Sequence, residues 1–258
     1  MKEADVMGPF SKPLRRWLAM LASGALAGPG LAVFSTLSAP AQAAIPPHPV
    51  WKSSAPLGTW QNGRFDVYNN EWNTSEAGPQ TIWANSYRDW GVESKQANTT
   101  SVKTYPSVQK NYNKNPRYTA FSSLRSTFTE SMPSVANFDA EAAYDLWLNN
   151  YQIELMMWVD NHKQAPAGKV IARIHIYGQK FTVWQNGNDM YSFVLSGKQE
   201  TTGKAHLFSA WRWLVNHGYL SRSTTLTQVN FGWEIASTAG VPMDFTLTRY
   251  SLSTGWMR

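Results

Sequence analysis

The sequence has no cysteine, only five histidines and few charged residues, which make up 16% of the chain. Without thiols the protein forms no disulfide and has neither a cysteine nucleophile nor a thiolate metal ligand, so packing alone must hold it together. The histidines are scattered and lack the spacing of metal ligands, and we therefore expect no catalytic metal and no cofactor. Lysine and arginine form no run, which argues against nucleic acid as a partner.

The first 43 residues have the pattern of an export signal peptide. Residues 17–37 are mostly apolar and follow three basic residues: Lys12, Arg15 and Arg16. The small residues Ala41 and Ala43 have the spacing of a cleavage site. A membrane anchor is the alternative, but a Gly-Pro-Gly break in the apolar stretch favours removal. The two arginines permit twin-arginine export, although we expect the general secretory route because the surrounding match is weak.

Removal of this leader leaves residues 44–258, a length of 215 residues that fits one domain with a sizeable core. The leader accounts for two of the six net positive charges, so the remaining domain is only mildly basic. We expect this domain to be a secreted monomer that does not contact a membrane once the leader has been removed.

Aromatic residues are abundant: the chain has 13 Trp, 11 Tyr and 11 Phe. They could fill a core of aromatic β-strands. Alternatively, some of the tryptophans could line a sugar-binding cleft, because the flat C–H faces of sugar rings stack on indoles. Composition alone leaves both interpretations open.

Short alternating segments separated by turn signals predict about ten or more β-strands. Helical periodicity is convincing only over Leu207–Asn216, where Phe208, Trp211 and Val215 share a face and Gly218 follows the end. We find no internal repeat and no second module. The predicted fold class is all-β, a β-jelly-roll sandwich of two curved antiparallel sheets with one helix and a substrate cleft on the concave face.

Glu154 lies in an alternating strand, with apolar residues on one parity: Ile153, Leu155, Met157 and Val159. The other parity places Glu154 between Met156 and Trp158 on the face away from the core, where its pKa can be tuned. The preceding strand contains Asp145, and only Asn149-Asn150 separates the two strands, which predicts a two-residue hairpin turn. In that hairpin Asp145 lies directly opposite Glu154, within contact distance.

Glu234 occurs in the same setting. Over residues 228–235 the odd positions are apolar and the even positions are polar or small, so Glu234 also lies on the face away from the core. On that face Gly232 leaves space for a sugar ring, and Asn230 could supply hydrogen bonds along the groove. A single strand glutamate is usually just solvated. Two of them, one with Asp145 opposite, match the carboxyl pair that glycosidic hydrolysis requires.

These segments resemble glycoside hydrolase family 12 over about residues 69–236. The similar motifs are NNEW at 69–72, VKTYP at 102–106, AYDLW at 143–147, ELMMW at 154–158 and GWEI at 232–235. The ELMMW motif is highly specific. The chain departs from the family in having no cysteine for the disulfide that many members carry near the N-terminus.

The resemblance implies a jelly-roll endoglucanase that cleaves internal β-1,4-glucosidic bonds of cellulose or related β-glucans with retention. Glu154 would be the nucleophile, Glu234 the general acid/base, and Asp145 the hydrogen-bonding partner of Glu154. Retention implies that the Glu154 and Glu234 carboxyls lie about 5–5.5 Å apart.

The resemblance also assigns substrate binding to Asn70 and Trp72, on the non-reducing side of the cut, and stacking to Trp158. We expect Met156 and Asn230 to contribute to the cleft as well. Two alternatives stay open: a xyloglucan-specific endoglucanase, and a jelly roll that binds glycans without cleaving them.

Overall fold

The computed structural model describes residues 45–258, so the predicted leader lies outside the described residues. One sheet has six strands, in the spatial order β1 (Trp51–Ser53), β4 (Gln80–Ser86), β5 (Asp89–Ser94), β15 (Met243–Trp256), β7 (Phe121–Ser131) and β13 (Thr202–Ala205). The other has nine, in the order β10 (Lys169–Ile176), β11 (Gln179–Asn186), β12 (Met190–Leu195), β9 (Ile153–His162), β8 (Asp139–Leu148), β14 (Leu226–Ser237), β6 (Ser107–Asn111), β3 (Phe65–Tyr68) and β2 (Thr59–Asn62). The predicted all-β jelly-roll class is confirmed, and β9 with β12 is the parallel pair among otherwise antiparallel strands.

One large apolar cluster fills the space between the two sheets. Aromatic pairs join the sheets. The ring centroids of Phe128 on β7 and Phe231 on β14 are 5.3 Å apart, and those of Trp90 on β5 and Trp233 on β14 are 5.0 Å apart. Each aromatic side chain removes a large apolar area from water. Much of the aromatic content therefore serves the core, which compensates for the absence of disulfides.

The helix α1 (Leu207–Asn216) has the predicted bounds and packs mainly against β7. Its buried face includes Phe208 and Trp211, as the periodicity predicted, and the Trp211 indole N–H donates to the Thr224 hydroxyl oxygen at 3.0 Å. Gly218 adopts φ +76° just beyond the helix end, a conformation that glycine adopts without strain. Within residues 45–258 the structure contains no helix with the length and apolarity needed to cross a bilayer.

The turn between β8 and β9 is longer than predicted. It spans residues 149–152, with positive φ values at Asn149, Asn150 and Tyr151. The prediction of a two-residue turn is therefore wrong. Asp145 pairs with Met156, not with Glu154 as predicted. Because the register moves by two residues, every side chain keeps its predicted face, and Asp145 becomes a diagonal neighbour of Glu154.

Candidate active site

Three acidic side chains lie on adjacent strands of the nine-stranded sheet, on the face away from the core: Glu154 on β9, Asp145 on β8 and Glu234 on β14. Their sequence neighbours Leu155 and Ile235 belong to the core cluster, as alternation in a strand requires. All three acids are nonetheless buried, with exposed fractions of 1% for Asp145, 5% for Glu154 and 4% for Glu234.

The three carboxyl groups converge, although the pairing of β9, β8 and β14 places Glu154 and Glu234 far apart along the strands. Glu154 lies opposite Trp147, which lies opposite Gln228, so Glu234 comes six residues farther along β14. In a flat sheet this offset corresponds to about 20 Å. One carboxyl oxygen of each acid nevertheless lies within 4.8 Å of the other two. The two side chains must therefore converge over a bent sheet, and the face of β8, β9 and β14 that carries the acids is called the groove below.

Asp145 and Glu154 each have one carboxyl oxygen that is buried without a hydrogen-bond partner. Burial raises the pKa of Glu154 well above its usual value, and the charges of Asp145, Glu234 and Asp189 raise it further. Burial also raises the pKa of Asp145, and the charge of Glu234 adds to this effect. Two such carboxyls titrate as a coupled pair and keep a shared proton at a pH where isolated carboxyls are ionised.

Glu141 is a fourth carboxyl in the groove. It lies on β8 directly opposite Glu234, is fully buried, and neither of its oxygens accepts a hydrogen bond from an amide, hydroxyl or cation of residues 45–258. Burial and the charge of Glu234 raise the pKa of Glu141 well above its usual value. Burial raises the pKa of Glu234 too, whereas the hydrogen bond with Glu141 lowers it. Glu141 and Glu234 thus titrate as a coupled pair, in which protonation of one carboxyl affects the other.

Protein backbone fills the space beside Gly232, so the prediction of a sugar ring there is wrong. A Cβ at Gly232 would lie 1.9 Å from the carbonyl oxygen of Pro106 and 2.8 Å from the Cα of Ser107. Glycine at this position permits the neighbouring segment to approach closely. That approach carries Tyr105 to the acids, and its hydroxyl donates to the Ala143 carbonyl oxygen at 3.0 Å. The pKa of Tyr105 is raised by burial and by the nearby acids.

Met156 and Trp158 form a small apolar cluster with Ala143, separate from the main core. The Trp158 indole N–H and the Asn230 side-chain oxygen are both buried without a hydrogen-bond partner. Asn230 also lies directly opposite Asp145 in the β8–β14 register. Unpaired buried polar groups beside a groove are available to a hydroxyl-rich ligand, and the structure therefore places these three predicted binding residues beside the acids.

Asn70 and Trp72 lie on the segment that follows β3. Asn70 adopts φ 45°, and its side-chain amide donates to the Tyr105 carbonyl oxygen at 3.1 Å. Asn70 therefore helps to hold the segment that brings Tyr105 to the groove. Trp72 is partly exposed. Contact of either residue with a sugar stays a prediction.

The three converging acids could in geometric terms surround a cation, since their oxygens lie within 4.8 Å of one another. Proximity of carboxyls does not by itself indicate a metal site, because acidic groups that titrate as a coupled pair also lie this close together. We therefore assign no metal or cofactor to these residues.

The fold and the groove together define a jelly-roll protein whose paired carboxyls suit acid–base chemistry on a glycosidic bond. The model of Glycosyl hydrolase family 12 matches residues 63–254, and the chain belongs to this family. It is therefore a glycosidase. Endoglucanase S of Pectobacterium parmentieri is 27% identical over 210 residues, which covers 67% of this chain and 76% of that protein.

Solved structures have the same fold. Endoglucanase 3 of Trichoderma harzianum, from family GH12, superposes with a TM-score of 0.71 at 22% identity and covers 80% of this chain and 97% of its own. The xyloglucanase domain of the effector NopAA from Sinorhizobium fredii, solved with cellobiose, superposes with a TM-score of 0.69 at 23% identity. The match covers 80% of this chain and 100% of that domain. A family 12 xyloglucanase from Bacillus licheniformis superposes with a TM-score of 0.68 at 22% identity, and the match covers 79% of this chain and 100% of that one.

The sequence-based prediction missed Glu141 and Tyr105 as groove residues. Glu141 has the same parity as Asp145 in one strand, and this signal could have placed both on the same face. Its pairing with Glu234 requires the register between two strands that are distant in sequence. Tyr105 belongs to the VKTYP motif, but no periodicity places it near the acids, because it reaches them through the close approach at Gly232.

Proposed function

We propose that the protein is a retaining endo-β-1,4-glucanase that cleaves internal bonds of cellulose or related β-glucans. The observation that carries this proposal is the approach of Glu154 and Glu234 across the groove, with carboxyl oxygens within 4.8 Å. Retaining glycosidases hold their two carboxyls about 5–5.5 Å apart, whereas inverting enzymes need about 6.5–9.5 Å to admit a water. The short distance therefore supports direct attack by one of the carboxylates.

In the first proposed step, the Glu154 carboxylate attacks the anomeric carbon while the glycosidic C–O bond breaks. Glu234 gives its proton to the departing oxygen. In the second step, the Glu234 carboxylate takes a proton from a water whose oxygen attacks the same carbon. The C–O bond between that carbon and Glu154 breaks as the water oxygen attacks, and both carboxyls return to their starting states.

Asp145 supports the nucleophile in this proposal. Glu154 must be ionised to attack, yet burial and neighbouring acids raise its pKa. A proton held by the coupled pair can remain on Asp145 and be donated in a hydrogen bond to Glu154. Met156, Trp158 and Asn230 would contact the glucan beside the cleavage point, and Asn70 with Trp72 would bind it farther along the groove.

The substrate preference within β-glucans is the open choice. The relative from Pectobacterium parmentieri is an endoglucanase, whereas the structures from Sinorhizobium fredii and Bacillus licheniformis are xyloglucanases. We therefore keep a xyloglucan-specific endoglucanase as the second candidate. A jelly roll that only binds glycans would not need four buried carboxyls at the groove, because their burial destabilises the fold without improving sugar binding.

Three measurements test this function. Reducing-end release is measured on carboxymethyl cellulose, mixed-linkage β-glucan, xyloglucan and xylan. The proposal requires activity on at least one unbranched β-1,4-glucan or mixed-linkage glucan, and a xyloglucan-only pattern would favour the second candidate.

Proton NMR of the first products should show the β-anomer, and the α-anomer would contradict retention. Glu154→Ala should abolish release while the circular dichroism spectrum stays unchanged, so full activity in this variant would overturn the assignment.

We also propose that residues 1–43 direct export and are removed, leaving residues 44–258 as a single secreted catalytic domain. The signal-peptide pattern supports this proposal. Mass spectrometry of the protein recovered from culture medium should give a chain that begins at Ala44. Recovery of the full-length chain from the membrane fraction would instead indicate an anchor.

A further inference from the structure

Glu141 is a buried acid that the proposed mechanism does not use. It faces Glu234 across the β8–β14 register, and it is the more enclosed of the two. Both oxygens of Glu141 are sealed from solvent, whereas Glu234 has an exposed fraction of 4% and lies at the groove. Since enclosure disfavours the charged form of a carboxyl, the shared proton favours Glu141, and Glu234 is the member that ionises.

The other charged groups around Glu141 do not alter this order. Besides Glu234, the charges that act on Glu141 come from its own strand, from Asp145 and Asp139. Lys103, in the segment before β6, acts on Asp139. The two aspartates disfavour ionisation of Glu141. The Lys103 ammonium donates to the Ala236 carbonyl oxygen and to the Ser101 carbonyl oxygen, so it does not compensate Glu141. On the side of β9, the uncharged Asn161 lies opposite Glu141.

We propose that Glu141 is a positioning residue that keeps its proton throughout turnover and donates it in a hydrogen bond to the Glu234 carboxylate. This inference rests on the proposed function of Glu234. A buried Glu234 without a donor would resist ionisation and would be a poor base in the second step. The hydrogen bond from Glu141 stabilises the carboxylate that forms when Glu234 protonates the leaving group. No proton passes to or from Glu141, so the balance of both steps is unchanged.

Two substitutions at Glu141 test whether Glu234 needs a hydrogen-bond donor there or specifically a carboxyl group. Glu141→Gln keeps an N–H donor of similar shape, whereas Glu141→Leu fills a similar volume without a donor. Glu130→Gln serves as the matched control, because Glu130 is another buried carboxyl but lies on β7 in the six-stranded sheet. Circular dichroism and the melting temperature show whether each variant is folded.

The kinetic probe is 2,4-dinitrophenyl β-cellobioside, whose leaving group needs no acid, so that kcat reports the step in which Glu234 acts as base. In Glu141→Leu the ascending limb of kcat against pH should move up by about one pH unit, and added azide should accelerate turnover at neutral pH. Glu141→Gln and Glu130→Gln should keep the wild-type limb. An unchanged limb in Glu141→Leu, or an equal shift in Glu141→Gln, would overturn the proposal.

A second measurement does not depend on activity. Carbon-13 NMR of the wild-type protein labelled at the glutamate carboxyl carbons follows each side chain through its titration, with Glu141→Gln and Glu234→Gln providing the assignments. Glu234 should ionise at lower pH than Glu141. The reverse order would refute the role of Glu141 even if the protein cleaves glucans. Wild-type protein that is inactive on every glucan, or full activity in Glu234→Gln, would instead refute the proposed function.

Discussion

The two faces of strands β8, β9 and β14 are almost equally buried but differ in how their groups are satisfied. Towards the six-stranded sheet, Leu155, Tyr144 and Phe231 pack into the core. Towards the groove, buried carboxyls such as Glu154 and Glu141 have oxygens without hydrogen-bond partners. Burial alone therefore does not distinguish core from active site. The difference is that the groove face holds polar groups whose burial costs folding free energy and keeps them reactive.

The core side of the nine-stranded sheet also contains a carboxyl pair. Glu130 on β7 accepts a hydrogen bond from the Trp233 indole N–H at 2.9 Å and is paired with Asp160 of β9. Burial raises the pKa of Glu130 to about 8. This pair has an N–H donor from the core, whereas Glu141 receives no such donor. A buried acid in this fold can thus be structural or functional according to the face on which it lies.

The largest expected effect belongs to Glu154→Gln. Activity should fall by about 10³-fold or more, because an amide cannot form the ester intermediate. The free energy of unfolding at pH 7 should rise, because the substitution removes a buried acid that has like-charged neighbours. Reducing-sugar release and thermal unfolding measure the two effects. A strongly destabilised variant would show that Glu154 has the structural role of a core residue.

Leu155→Ala, one position along the same strand, should show the opposite pattern. The Leu155 side chain lies in the core, and its truncation should lower the free energy of unfolding by about 2–5 kcal/mol. Turnover per folded molecule at low temperature should stay within a few-fold of wild type. Urea unfolding with activity measured on the folded fraction tests this expectation, and complete loss of turnover in folded protein would contradict it.

Asp145→Asn should shift the acid limb of kcat/KM. At the acid limb the coupled pair goes from two protons to one, and either carboxyl can release that proton. Asparagine leaves Glu154 alone to release it, so the limb should move to higher pH, by about 0.3 pH unit when the two carboxyls release the proton equally. The asparagine amide can still donate to Glu154, so the variant should retain activity near neutral pH. A pH–rate profile on soluble β-glucan measures the limb, and an unchanged position would argue against a coupled pair.

Glu130→Gln should give the smallest effect, visible in stability alone. The pKa of Glu130 is about 8 in the fold and about 4.3 in an unfolded chain. The protonated carboxyl is thus compatible with the fold at low pH, and stability is lost as pH rises from about 4.5 through 8. The variant should therefore melt about 3 °C or more above wild type at pH 8 and show a smaller difference at pH 5. Equal differences at both pH values would contradict this assignment.

Local alternation in the chain is enough to assign the face of the sheet on which each of these side chains lies. Alternation is a local property of a strand, so Glu154, Asp145 and Glu234 were placed on the groove face without knowledge of any partner strand. The helix over Leu207–Asn216 followed from local periodicity in the same way. The family motifs then added the proposed role of each acid.

The contacts between the acids, in contrast, depend on how distant strands pair in the folded protein. The longer turn at residues 149–152 moved the β8–β9 register by two, and the β8–β14 register placed Glu141 opposite Glu234. The tertiary arrangement also brought carboxyl oxygens of Glu154 and Glu234 within 4.8 Å, although their offset along the strands corresponds to about 20 Å. Register, strand order and curvature depend on contacts between segments far apart in the chain, and no local pattern specifies them.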